Sequence, residues 1–254
     1  MSSNRLKLNS DKTQFISIGS KYQLAKIEIK VISLSDVDIQ IADCVTCLGV
    51  VIDQELTFAS HIGRLSARCF YQLRQLRVIR RTLTEEAAKT LVHAFIISRI
   101  DYCNSVLSDV SKVHLSKLQS VLHAAARLIT RKQKYDHISA TVRDYLHWLP
   151  IEQRIAYKIS LITYKSLHNI APDYLAELCK LVAADIGRSH LRSAARGDLI
   201  VPKTKTKTFG PRSFAASAPA NWNKLAPDVR DITLSVDQFR RALKHILYVR
   251  GYYT

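Results

Sequence analysis

The stretch Ser111-Lys-Val-His-Leu-Ser-Lys-Leu-Gln-Ser-Val-Leu-His-Ala-Ala-Ala-Arg-Leu-Ile-Thr-Arg131 decides the fold class of most of the chain. Leu115, Leu118, Leu122, Ala125 and Ile129 recur at three and four residues, so they share one side of an α-helix, and Lys117, Arg127 and Arg131 share the other. Ser111 stands where an N-cap belongs. The same period runs upstream through Ile62, Leu65, Cys69, Leu73 and Leu76, with Arg64, Arg74 and Arg77 off the apolar stripe. Between these helices Thr84 is placed to cap a third, which ends before Asp101. Its first turn holds Glu85 and Glu86, where the helix dipole favours negative charge. Further on, Pro150 opens a helix that buries Ile151, Ile155, Ile159 and Ile162, and Pro172 opens another. Beyond Arg188, Pro202, Gly210, Pro211 and Pro219 break up the chain until a last helix at 236–248.

Before residue 55 the period is two. Runs at 13–19 and 26–33 are rich in Ile, Val and Phe and partly alternate apolar with polar, which predicts strands joined by a turn at 19–22. The run at 45–52 is nearly all apolar and predicts a strand buried on both faces. The fold class expected is therefore α+β: a small N-terminal sheet at 1–54, a helical region at 55–134, and a C-terminal helical region at 135–254 that contains a basic extended segment. The few strands of residues 1–54 form a marginal unit alone, with an exposed edge.

Charge narrows the partners. Across 254 residues Lys and Arg number 38 against 21 Asp and Glu, a formal net charge of +17. Such an excess repels itself unless a polyanion is near, and nucleic acid is the first candidate. The excess is concentrated at 58–134 and 188–254. In the second of these, Lys203, Lys205 and Lys207 alternate with threonines and would line one side of an extended strand, a strip for phosphates. Five scattered cysteines argue against a secreted disulfide framework, and no apolar run has signal-peptide or membrane-span length. An intracellular protein, nuclear or cytoplasmic, without membrane association is expected.

Motifs for catalysis are absent. There is no Gly-x-Ser-x-Gly elbow and no glycine-rich phosphate loop among the seven glycines. Cys44-x-x-Cys47 has no second pair at zinc spacing, and both thiols are expected in the core. Two-metal phosphoryl transfer requires clustered carboxylates, whereas Asp36, Asp38 and Asp53 are separate and read as turn positions. His93 and His123 fall on helix interiors and are expected to pack. Trp148 and Trp222 could stack a base, but both read better as plugs between helices.

Several stretches, in order along nearly the whole chain, resemble the reverse transcriptases of non-long-terminal-repeat retrotransposons, of the jockey and chicken-repeat type. Ser3-Asn-Arg-Leu-Lys-Leu-Asn-Ser-Asp-Lys-Thr-Gln14 is similar to the segment after the catalytic Asp-Asp strand, and Cys47-Leu-Gly-Val-Val-Ile-Asp53 to the primer-grip strand. Val92-His-Ala-Phe-Ile-Ile-Ser-Arg-Ile-Asp-Tyr-Cys-Asn-Ser105, Leu146-His-Trp-Leu-Pro150, Ala171-Pro-Asp-Tyr-Leu175 and Trp222-Asn-Lys-Leu225 continue the resemblance. It implies that residues 1–54 are the end of a palm, residues 55–134 a thumb, and 135–254 the C-terminal region. Arg64, Arg74, Arg77, Lys117, Arg127 and Arg131 would then meet the phosphates of a primer–template duplex. Lys12 would match a lysine that assists the leaving pyrophosphate, and Leu48 and Gly49 the primer grip.

The family's catalytic aspartates, which hold Mg²⁺, would lie before Met1. The expectation is thus a non-catalytic nucleic-acid-binding fragment without a cofactor or small-molecule substrate, taking RNA, DNA or an RNA–DNA hybrid; its oligomeric state is open. Two further readings stand beside it: the C-terminal portion of an active polymerase completed by an upstream segment, and a helical protein-interaction scaffold.

Overall fold

The computed structural model describes residues 9, 12–34, 37–185, 187, 190–206, 209–231 and 233–253. Lys207, Asp36 and most of the 3–14 motif fall outside them. The chain divides into two compact units, residues 1–65 and 66–254. The regions expected at 55–134 and 135–254 thus share one unit from residue 66 onward.

The first unit opens with α1 (Lys21–Leu24), a single turn capped by Ser20 and Gln23 in a reciprocal capping box. Two antiparallel pairs follow: β1 (Val31–Leu34) with β2 (Val37–Gln40), and β3 (Cys44–Cys47) with β4 (Val50–Asp53). Five expectations are corrected here. Residues 13–19 contribute only a bridge from Phe15 to Ile41, and 19–22 is not a strand-joining turn but the start of α1. The run at 45–52 is not one buried strand. It folds back at Leu48 and Gly49, both at positive φ (47° and 81°), as a two-residue type I′ turn requires. Cys47, at the end of β3, is exposed rather than a core thiol. Asp53 is no mere solvated turn: its two carboxylate oxygens accept from the Thr57 and Phe58 amides (2.8 and 2.7 Å) and fix the start of the next helix.

That helix, α2 (Ala59–Ile79), carries the expected stripe, with Ile62, Cys69, Leu73 and Leu76 buried. Thr84 caps α3 (Glu85–Val92) by accepting from the Ala87 amide, and a π-helical segment, His93–Ile97, leads into α4 (Ser98–Asp101), so the helix includes Asp101. Next come a 3₁₀ turn (Asn104–Leu107) and α5 (Lys112–Thr130), which buries the predicted Leu115, Leu118, Leu122, Ala125 and Ile129. A second π segment, Thr141–Tyr145, precedes α6 (Ile151–Leu167). Ile151, Ile155 and Ile159 are buried as expected, while Ile162 is only half-buried. Pro172 introduces a single turn, α7 (Asp173–Ala176), and α8 (Arg192–Ala195) is equally short.

The broken region expected before the last helix contains α9 (Phe214–Asn223), with Pro219 buried inside it. The final helix, α10 (Val236–Tyr253), runs five residues past the expected end. Helices α6, α9 and α10 meet on an aromatic column. Tyr164 stacks on Phe239 (centroids 4.2 Å apart), Phe239 on Trp222 (5.8 Å), and His168 covers the far face of Tyr164 (3.9 Å). The Asn223 amide pairs with both backbone groups of Leu199 at 2.8 Å and the Trp222 indole donates to the Gly197 carbonyl, so the Trp222-Asn-Lys-Leu225 motif is structural. Trp148 is also buried, the plug that its sequence context predicts.

Candidate nucleic-acid interface

Within the second unit, the C-terminal half of α2, the end of α5 and the loop after it enclose an open groove of ≈ 1240 Å³. Eight cationic side chains line it, together with Phe70, Gln133 and small apolar residues, and no carboxylate is among the lining residues. These cations divide into two sets according to their partners.

The first set is committed to backbone carbonyls. A helix leaves its last carbonyls without intrahelical partners, and cations are favoured at that end. Arg80, 8% exposed, supplies both: its Nε donates to Leu128 O (2.8 Å), Nη2 to Ile129 O (2.6 Å) and Nη1 to Leu83 O (2.8 Å). Burial first, then the Arg131 charge, lowers its pKa from the usual guanidinium value, and Glu85 opposes the shift. Arg131 ends α5 in the left-handed conformation (φ 55°) and also donates to Leu83 O (3.3 Å). Arg127 donates to Asp136 O (3.2 Å), and Lys132 to Thr141 Oγ1 (2.7 Å) and His137 O (3.4 Å).

The second set, Arg74, Arg77, Arg81 and Lys134, forms no ion pair with any carboxylate among the described residues. Arg74, Arg77, Arg81 and Lys134 are all exposed. Lys134 lies 5.1 Å from the ring centroid of Tyr135, which is 87% exposed. Asp136, in the same loop, is occupied in accepting from the Gln133 amide (2.7 Å). Guanidinium forks match phosphate oxygens, and Gln133 is the one neutral amide in the lining. The groove's side chains can hold an anion.

Of the sequence-predicted residues, Arg74, Arg77, Arg127 and Arg131 come together here. Arg64 belongs to the other unit, and Lys117, though exposed on α5, does not line the groove. Lys203 and Lys205 are exposed in an irregular segment and likewise lie outside the lining. Lys12, Leu48 and Gly49 are exposed in the first unit, Leu48 at the hairpin tip. Arg80, Arg81, Lys132 and Lys134 were missed by sequence reasoning. Their signal was positional, since Arg77-x-x-Arg80-Arg81 and Arg131-Lys-Gln-Lys134 each sit at a helix C-terminus.

His123 packs as expected, half-buried with Nε2 2.8 Å from the Gln119 amide, but His93 is exposed. Among the described residues no cluster of three or more His, Cys, Asp or Glu side chains could hold a metal ion, and no helix is long and apolar enough to cross a membrane. No family model, curated protein or solved structure matches the chain.

Proposed function

We propose that this chain binds nucleic acid as a protein of reverse-transcriptase type, holding the backbone of a primer–template duplex without reading its sequence. The observation that carries the reading is the groove: eight cations around one concavity, none paired with a carboxylate among the described residues, and only four of them committed to carbonyl partners. Holding uncompensated guanidinium groups side by side costs repulsion that a polyanion removes. Exposed Phe70 and Tyr135 beside the cations add surfaces on which an unpaired base could stack. The exposed hairpin tip at Leu48 and Gly49 supports the likeness of 47–53 to a primer grip.

Fluorescence anisotropy of the full chain against an RNA–DNA hybrid, repeated across salt concentrations, tests this reading. If only the four free cations neutralise phosphates, log Kd changes with log salt at a slope of about 3.5, and if all eight do, about 7. Arg74→Glu, Arg77→Glu and Arg81→Glu combined abolish binding to unrelated sequences alike. Absence of binding at low salt, or binding indifferent to this triple change, sinks the proposal.

A further inference from the structure

A second, smaller cationic cavity lies elsewhere in the same unit. Its volume is ≈ 330 Å³, at the lower end for small-ligand pockets. At its base Arg154 is held in one position, Nε donating to Leu149 O (2.9 Å) and Nη1 to the two Asp101 carboxylate oxygens (2.9 and 3.2 Å). That pair is internally neutral. Lys158, one turn further along α6, and Lys244, from α10, reach the same cavity, and neither pairs with a carboxylate among the described residues. With Arg154 offset by Asp101, the net charge of the cavity is that of Lys158 and Lys244.

The remaining wall is of a different kind. Ile97, Leu149 and Trp148 give it an apolar side, with the Trp148 ring fixed edge-on to His93 at 5.9 Å. Asn104, 4% exposed, lines the cavity too, and its Oδ1 has no hydrogen-bond partner among the described residues. A buried acceptor left in that condition is costly, and a ligand N–H would relieve it.

We propose that this cavity binds a small phosphate monoester with a flat, N–H-bearing body, its phosphate set between Lys158 and Lys244 and its body against Trp148 and Leu149. Two unpaired ammonium groups match the charge of such a phosphate near pH 7, about −1.5 to −2. The site is separate from the groove and does not depend on the nucleic-acid reading. It departs from the expectation that the chain takes no small molecule.

Isothermal titration calorimetry of the full chain with adenosine 5′-monophosphate, adenosine and inorganic phosphate tests it. The monophosphate binds, and each of the other two binds about tenfold or more weakly because each lacks one half of the recognition. Lys158→Gln and Lys244→Gln each weaken the monophosphate about tenfold, and Arg77→Glu leaves it unchanged. Both lysines are at least partly exposed, and circular dichroism melting confirms that the variants fold. The proposal is overturned if the monophosphate does not bind, if its binding survives both lysine changes together, or if Arg77→Glu removes it, which would place it in the groove.

Discussion

In residues 1–65 the apolar side chains at Ile18, Tyr22, Ile27, Ile29, Val31, Val37 and Leu48 stay exposed, and burial is confined to a few, among them Val50, Val51, Phe58 and Ile62. In residues 66–254 the same residue types close over one another, down to fully buried Trp222, Tyr164 and Phe239. Both regions form regular backbone hydrogen bonds, and the difference lies in what the side chains meet. A two-stranded pair has two faces and covers neither, whereas three helices meeting at α6, α9 and α10 leave an aromatic column no contact with water. Stability should therefore reside in the second unit, and the groove, built on two helix ends of that unit, inherits its rigidity.

The strongest challenge to this contrast is Trp222→Ala. Removing a fully buried indole from the column leaves a cavity beside Phe239, and the chain should lose about 3–5 kcal/mol in denaturant unfolding. A loss below 1 kcal/mol would mean that the column is not the core of this unit. Next in size is Arg80→Met, which strands the carbonyls of Leu128 and Ile129, leaves that of Leu83 to Arg131 alone, and should cost about 3 kcal/mol. Its neighbour sharpens the point: Arg81→Met should change stability by no more than about 0.5 kcal/mol yet weaken nucleic-acid binding. Equal stability effects at the two positions would erase the distinction between committed and free cations.

What the sequence could reveal followed from how local each signal is. Helix α5 was legible because its period, its N-cap position and its cationic face all lie within twenty residues, and Thr84 with Glu85 and Glu86 marked the start of α3 for the same reason. The hairpin at Cys44–Asp53 was hidden because Leu48 is not a turn former, and only Gly49 betrayed the fold-back. Helix α9 was hidden by Pro219, a local breaker overruled by burial. The groove was half legible: the charges could be counted, but Arg80 meets Ile129 across 49 residues, a tertiary fact that no window contains. The split between anchored and free cations was invisible for that reason.

Acid probes the helical unit more gently. Burial lowers the pKa of His168, whose Nε2 has no partner among the described residues, and burial followed by the Arg127 charge lowers that of His123. With the folded values below the unfolded one near 6.5, the unfolded chain takes up protons first as pH falls. Stability is thus fully present above about pH 6.5 and declines below it. The melting temperature should drop between pH 7 and pH 5, and His168→Gln should flatten that decline. An unchanged slope in the variant would remove His168 from the account.

A small effect of opposite sign belongs to the first unit. Leu48 holds φ at 47° in the first central position of a type I′ turn, a conformation that asparagine and glycine adopt with little strain and leucine does not. Its side chain is 84% exposed, so burial offers little to offset the strain. Leu48→Asn should stabilise the β3–β4 hairpin by about 0.5–1 kcal/mol, read as slower hydrogen exchange at the Val50 and Cys47 amides, while Leu48→Ala should gain nothing. If asparagine instead loosens the hairpin, the exposed leucine is held there by a contact worth more than the turn strain. If the gain rivals the loss at Trp222, residues 1–65 are not the weaker partner, and the contrast between the units fails at its lower end.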